Sequence, residues 1–253
     1  MLFRSHVWVA VSAMAQATKR VFLTTSFANN LFRSPVEFAQ ASLTMQWLSG
    51  GRFEAGLGAG WLEPEVRAIG FDYPAPRERA RRYREAIEIV RRLFRDGRCT
   101  FTGEHYTVDV PVIGPVVDSP PPLVASLGGP WTIANIAPLV DRVELKFGQT
   151  TRGGDLDVGA LASVTRDDLT RMVDQVRTVA PDVPIGLFTM IAVGDDAETE
   201  PIRAALGDGV YGSLVGDASA VLANLRSFEA MGISRVQVTE RITGSIARLG
   251  RVG

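Results

Sequence analysis

Strand-length runs of β-branched and aromatic residues alternate with stretches of helical period along most of this chain, and that alternation leaves few folds open. Val21 to Phe27 (VFLTTSF), Phe53 to Leu57, Leu123 to Ser126, Val143 to Phe147, Ile185 to Val193 and Val236 to Thr239 read as strands. A helix from about residue 35 to Gly50-Gly51, and others near 78–94, 131–139, 166–179, 197–205 and 218–230, fall between them. Strand followed by helix followed by strand means parallel pairing through right-handed crossovers, so the class is α/β, either a doubly wound sheet or a β/α barrel. No internal repeat of solenoid length and no flexible linker interrupts the pattern. A single domain over 1–253 with a hairpin insertion at about 97–122 is expected.

Local signals sharpen several of these elements. Ser34-Pro35-Val36-Glu37 puts a hydroxyl at an N-cap, proline at the first helical position and a carboxylate three residues after the cap. Ala39, Leu43 and Trp47 then recur at about one helical turn and are expected to be buried. Between Glu78 and Phe94 the apolar positions Tyr83, Ala86, Ile87, Val90, Leu93 and Phe94 keep helical spacing, while arginines fill a solvated face. Cys99 to Val108 alternates about Gly103-Glu104 as a small hairpin.

Composition removes whole classes of function. Twenty-seven Lys and Arg against 28 Asp and Glu give a net charge of −1, so no global field recruits nucleic acid or an anionic membrane. One cysteine, Cys99, allows neither an internal disulfide nor a thiolate metal cluster, and fits a reducing, cytoplasmic setting. No apolar run reaches the length of a membrane span, and His6, Ser12, Gln16 and Lys19 break up any signal-peptide plan before Arg20. Two separated histidines give no metal site, and a G-x-S-x-G elbow is absent. His105 in the hairpin reads as a surface residue rather than a base.

Two glycine turns at strand ends carry the chemistry. Gly56-Leu57-Gly58-Ala59-Gly60 is not a dinucleotide fingerprint: the third glycine comes one residue early, and Trp61-Leu62-Glu63-Pro64 reads as a poor helix start. Glycines so placed still let backbone approach a flat or anionic ligand, unless the turn is only a tight connection. Ser126-Leu127-Gly128-Gly129-Pro130-Trp131 precedes a helix and offers N–H groups to a phosphate, the plainer reading being an ordinary β-to-α turn. Arg142, Glu144 and Lys146 share one face of a strand buried on both sides. Buried charge must be paired, so a Glu144–Lys146 pair in the interior competes with an active-site role.

Ser49-Gly50-Gly51-Arg52-Phe53 running into Gly56-Leu57-Gly58-Ala59-Gly60-Trp61, with Glu65 and Gly70 behind it, resembles the signature of the luciferase-like monooxygenase family, in its deazaflavin-dependent branch. Ala17-Thr18-Lys19-Arg20 before the first strand, Pro35, Gly103-Glu104-His105-Tyr106, Pro121-Pro122-Leu123, Leu214-Val215-Gly216-Asp217 and Gly232-Ile233-Ser234-Arg235-Val236 follow in the family's order. The resemblance implies a (β/α)8 TIM barrel and an oxidoreductase that uses a reduced coenzyme F420, or FMN in its place, on a small organic substrate. A non-catalytic flavin-binding or interaction remnant of the same barrel is the other reading. Val21 to Phe27 matches the family's third strand, so the first two strands, about fifty residues, are expected to lie outside this chain and six to remain.

By the same resemblance Ser26-Phe27 is a non-prolyl cis peptide under the coenzyme ring, with Gly58 and Gly60 also at the coenzyme. Gly128 and Gly129 hold its phosphate, and Trp61, Leu62 and Glu144 line the substrate pocket. His6 is a candidate to replace a histidine of the absent strands, and a homodimer that pairs the open strand edges is expected. The strand ending at Phe27 should run parallel to Phe53–Leu57.

Overall fold

The structure is a computed structural model and describes residues 5–147, 151–152 and 155–252. In chain order its elements are α1 (Val7–Ala17), β1 (Leu23–Thr24), β2 (Ala28–Asn29), α2 (Pro35–Ser49), β3 (Phe53–Gly58), α3 (Glu63–Ala68), α4 (Pro76–Asp96), β4 (Cys99–Thr102), β5 (Thr107–Val110), β6 (Leu123–Leu127) and α5 (Pro130–Ile136). There follow β7 (Arg142–Leu145), β8 (Thr151–Arg152), β9 (Asp155–Leu156), α6 (Val158–Ala162), α7 (Arg166–Val179), β10 (Ile185–Val193), α8 (Asp196–Leu206), β11 (Val215–Gly216), α9 (Ala218–Ser227), β12 (Arg235–Glu240) and α10 (Ser245–Leu249). No described helix is long and apolar enough to cross a membrane. The chain divides into two compact units, Met1–Leu127 with Ala134–Val143, and Gly128–Ile133 with Glu144–Gly253.

In the first unit β1 and β2 both pair in parallel with β3, and β3 pairs in parallel with β6. Every residue of β3 is buried, as a strand covered on both faces requires. Of the expected Val21–Phe27 strand only Leu23–Thr24 forms, as β1, and pairing resumes just beyond it in β2; the register gives the reason. Thr24 lies opposite Glu54 and Ala28 opposite Leu57, so four steps of one strand oppose three of the other. One extra residue is therefore accommodated in a bulge that contains Ser26 and Phe27.

The α2 helix starts and stops where its caps dictate. Ser34 Oγ accepts from the Glu37 N–H at 3.1 Å, and Gly50 closes the helix at a φ of 63°. Ala39 and Leu43 are buried, but Trp47 is 64% exposed. Eight residues advance a helix by about 80° beyond two full turns, which carries Trp47 off the face centred on Phe38, Ser42 and Met45. Four helices, α1, α3, α6 and α10, lacked a sequence expectation, the first two of them in this unit. α1 docks through Trp8, whose ring lies 5.9 Å from that of Phe38 and 6.0 Å from that of Phe53. α3 begins at Glu63, where no helix was expected; Pro64 suits its first turn, and the first-turn carboxylates of Glu63 and Glu65 favour the positive helix end.

Arg52, in the Ser49–Phe53 motif, ties the entry to β1. Its guanidinium donates to the carbonyls of Ala15 (3.1 Å), Thr18 (3.1 Å) and Val21 (2.8 Å), and its Nε to that of Ser49 (2.8 Å).

The β4–β5 hairpin forms as expected and is pinned by a residue that its own sequence does not contain. Glu85 of α4, buried beneath the turn, accepts from the N–H groups of Glu104 (2.8 Å), His105 (2.9 Å) and Tyr106 (3.1 Å). His105 is consequently not a surface residue, its side chain being only 10% exposed. Glu85→Ala is expected to cost about 2 kcal/mol and to release the amides of 104–106 to fast hydrogen exchange. Protected amides there in the variant would remove the pinning role.

In the second unit β10 pairs in parallel with β11 and with β12. β11 is a two-residue strand that no expectation covered, too short to show a period. The helix at 166–179 was expected at those bounds, and Thr165 with Asp168 forms a reciprocal capping box at its start.

Candidate functional site

At the C-terminal end of β3 the glycines are occupied by protein. A Cβ on Gly56 would overlap the carbonyl oxygen of Thr25, one on Gly58 would come within 3.1 Å of the Phe27 Cβ, and one on Gly60 would strike the Asn29 amide oxygen. The spacing of these glycines thus makes room for the bulge, and their contribution to any ligand site is to let Ser26 and Phe27 sit where they do. Thr25 Oγ1 donates to the Gly56 carbonyl at 2.6 Å, and the Asn30 N–H to the Gly58 carbonyl at 3.0 Å, fastening both flanks. The Ser26-Phe27 peptide is cis, as the resemblance implied. Ser26 is exposed and Phe27 half-buried, whereas Gly58 and Gly60 are buried.

Tyr83 of α4 closes this end of the unit and was read from sequence only as part of an apolar stripe. Its ring is fully buried, its hydroxyl donates to the Leu57 carbonyl, and its oxygen accepts from the Ser126 backbone, joining the ends of β3 and β6. Burial drives its ionisation far above the ordinary value of 10.0. Below that value folded and unfolded chains both hold the proton; above it only the unfolded chain loses it, so stability falls by about 1.4 kcal/mol per pH unit. Tyr83→Phe should lower stability by about 1 kcal/mol at pH 7 and flatten this alkaline limb, as urea unfolding at pH 9 and 11 would show. An equal slope in both proteins would sink the assignment.

Nearby, Trp61 is exposed, with its carbonyl accepting from the Tyr73 hydroxyl at 3.0 Å, and Leu62 is the residue before α3. His6 is exposed at the start of α1.

Arg142 and Glu54 form the buried pair of the first unit. Two hydrogen bonds of 2.8 Å join the guanidinium to the carboxylate, the planar fork matching both oxygens. Alternation along 142–146 marks Arg142 as part of a charged face, and its partner Glu54 lies 88 residues away, beyond any local pattern. Strands β3 and β7 flank β6, and in a barrel-type sheet alternate strands share an interior layer.

In the second unit Gly128 and Gly129 border a cavity of about 330 Å³, with Phe147, Arg171 and Gln175 also on its wall. Gly129 N–H donates to Thr132 Oγ1 at 3.2 Å, so the turn is partly satisfied internally. Arg171 is bound to Asp168, whose carboxylate is held below the usual range first by the Thr165 hydroxyl. Arg171 and the two glycines line the same cavity, a setting that can receive one anionic group, although Asp168 also lines it and shares the charge of Arg171. Glu144 is 2% exposed and packs over Gly186, where any side chain would overlap its carboxylate. Lys146 lies with its ammonium 5.1 Å from the centre of the Phe188 ring, and burial lowers its pKa. Among the described residues no group of three metal-ligating side chains occurs.

The sequence profile described as luciferase-like monooxygenase matches residues 2–152, more than half of the chain. This chain belongs to the luciferase-like monooxygenase family. Two similar relatives are F420-dependent glucose-6-phosphate dehydrogenases. That of Amycolatopsis mediterranei (strain U-32) is 36% identical over 119 residues, 47% of this chain and 36% of the relative. That of Intrasporangium calvum is 33% identical over 185 residues, 66% of this chain and 52% of the relative. The match thus spans about half or less of those relatives' length.

Two solved structures of low identity share the fold of this luciferase-like chain. An F420-dependent secondary alcohol dehydrogenase in complex with an F420-acetone adduct aligns at a TM-score of 0.76 and 19% identity, over 98% of this chain and 83% of its own. Monooxygenase RslO1 from Streptomyces bottropensis aligns at 0.74 and 18%, over 97% and 80%. The likeness shows a luciferase-like α/β barrel fold.

Proposed function

We propose that this family member is an oxidoreductase that binds coenzyme F420, with FMN as the alternative, for hydride transfer to or monooxygenation of a small organic substrate. The observation that carries the reading is the one-residue bulge at Ser26-Phe27, set on a strand whose glycines leave it room. In the family that bulge lies under the coenzyme ring. The names of the two relatives and of one structural neighbour favour the deazaflavin over FMN.

The residues present fit such a group. Ser26 and Phe27 would meet its ring, with Gly58 and Gly60 holding the bulge behind them, and Gly128, Gly129 and Arg171 would hold its phosphate. Trp61 and Leu62 would lie on the substrate side, with Glu144 supporting the pocket from within. Bound F420 supplies two-electron hydride exchange. The chain's own contribution is to orient ring and substrate and to exclude water, which needs no strong acid–base motif. The reading includes a homodimer, which light scattering on the purified protein tests.

Titrating the protein with F420 and with FMN, followed by absorbance, tests the reading, and absence of binding by both would end it. Gly129→Asp isolates the phosphate site. A Cβ there meets nothing nearer than Thr132 Oγ1 at 3.8 Å, so the variant keeps its fold while adding a negative charge. Coenzyme affinity should fall at least about tenfold, or about 1.4 kcal/mol. Unchanged affinity would move the phosphate elsewhere.

A further inference from the structure

The second unit holds another cavity, of about 220 Å³, with a different chemical character. Leu161 of α6, Met190 of β10, Ile202 and Leu206 of α8 and Val215 of β11 line it, and Arg241 is the charged residue on its wall. Met190 lies in the C-terminal half of β10 and Arg241 directly follows β12, so this part of the wall stands toward the strand ends where such folds bind ligands, the rest being formed by α6 and α8. Its volume is small for a ligand pocket and suits a compact molecule.

Arg241 is an exposed residue that no carboxylate among the described residues pairs with. The Arg241 backbone N–H is used on the Ile191 carbonyl at 2.8 Å, but its guanidinium has no ion pair or hydrogen bond with any described residue. The adjacent Glu240 makes no ion pair with it; that carboxylate is turned to the backbone N–H groups of Gly244 (3.2 Å) and Ile246 (2.6 Å). A guanidinium with five donors beside aliphatic surface is complementary to a carboxylate carried on an apolar body. It is a poor match for a sugar phosphate, whose many hydroxyls would find few polar partners here.

A second observation places this cavity beside the candidate phosphate site. Tyr211 lines it, and the Tyr211 ring meets that of Phe147 edge to face with centroids 6.1 Å apart. Phe147 in turn lines the cavity at Gly128 and Gly129.

We infer that this cavity binds a small apolar monocarboxylic acid, its carboxylate on Arg241 and its hydrocarbon part among Leu161, Met190 and Ile202. Taking that acid as the substrate rests on the function proposed above; the binding itself does not.

Isothermal titration of the purified protein with 4-phenylbutyrate, with 4-phenylbutanol and with glucose 6-phosphate tests it, with Arg241→Gln and Ala205→Trp as variants and thermal melting to verify their folds. Ala205 is an exposed residue of α8 on the cavity wall, so a bulky replacement fills the space without entering the core. The acid should bind and the sugar phosphate should not. Arg241→Gln should weaken the acid by about tenfold to a hundredfold and leave the alcohol within about twofold, whereas Ala205→Trp should weaken both. No binding of the acid, or equal acid affinity in Arg241→Gln, overturns the inference. Coenzyme titration runs in parallel: coenzyme binding without acid binding removes this inference alone, and acid binding without coenzyme binding upholds the cavity while removing the proposed function.

Discussion

Gly56→Ala is expected to lower stability by at least about 3 kcal/mol, a large share of the total for a chain of this size. The added methyl would overlap the Thr25 carbonyl oxygen, and backbone held by hydrogen bonds on both flanks has no free torsion with which to yield. Gly129→Ala is the matched control, because a Cβ there has 3.8 Å of clearance, and it should change stability by less than about 1 kcal/mol. Urea unfolding of the two variants measures both. A Gly56→Ala midpoint equal to that of the control would mean that the bulge relaxes freely, and its role in positioning Ser26 and Phe27 would fall with it.

Arg142→Leu is expected to cost about 3 to 5 kcal/mol, because it leaves the Glu54 carboxylate buried with its principal fork of donors gone. The cost belongs to the orphaned charge more than to the lost attraction. Adding Glu54→Met to the same chain should therefore recover most of it, since replacing both members of a buried pair by apolar side chains is often neutral. A double variant as unstable as the sum of the singles would show instead that each residue acts through other contacts, and a double-mutant cycle in urea separates the two.

How far the sequence spoke depended on whether a signal was local. Caps are local, so α2 begins at Pro35 with Ser34 bonded to the Glu37 N–H, and the helix at 166–179 matches its expected bounds. The bulge is not local: VFLTTSF has the composition of one continuous strand, and only pairing with β3 reveals the extra residue between Thr24 and Ala28. Glu85 and Tyr83 were hidden for the same reason. On α4 they look like one polar and one apolar helix position, and their work is done 19 to 26 residues away, on the hairpin turn and on Leu57. Arg142 stood out by alternation, while Glu54 sat in a glycine-rich motif that drew attention to its backbone. The family resemblance supplied the location of Ser26 and Phe27, which periodicity by itself did not mark as a site.

Arg52 reads its neighbours mainly through carbonyl oxygens, at Ala15, Thr18, Val21 and Ser49, the Thr18 hydroxyl at 3.3 Å being the one side chain among the described residues to which its guanidinium donates at a neutral group. Every amino acid carries that oxygen, so outside buried Ala15 and the Thr18 hydroxyl the joint between α1 and β1 places little demand on which side chains occupy 16 to 21. Drift in that stretch is cheap and drift at Arg52 is not. Libraries that randomise residues 16–20 should return many folded clones, whereas lysine at position 52, a single ammonium in place of a fork, should be rare among them.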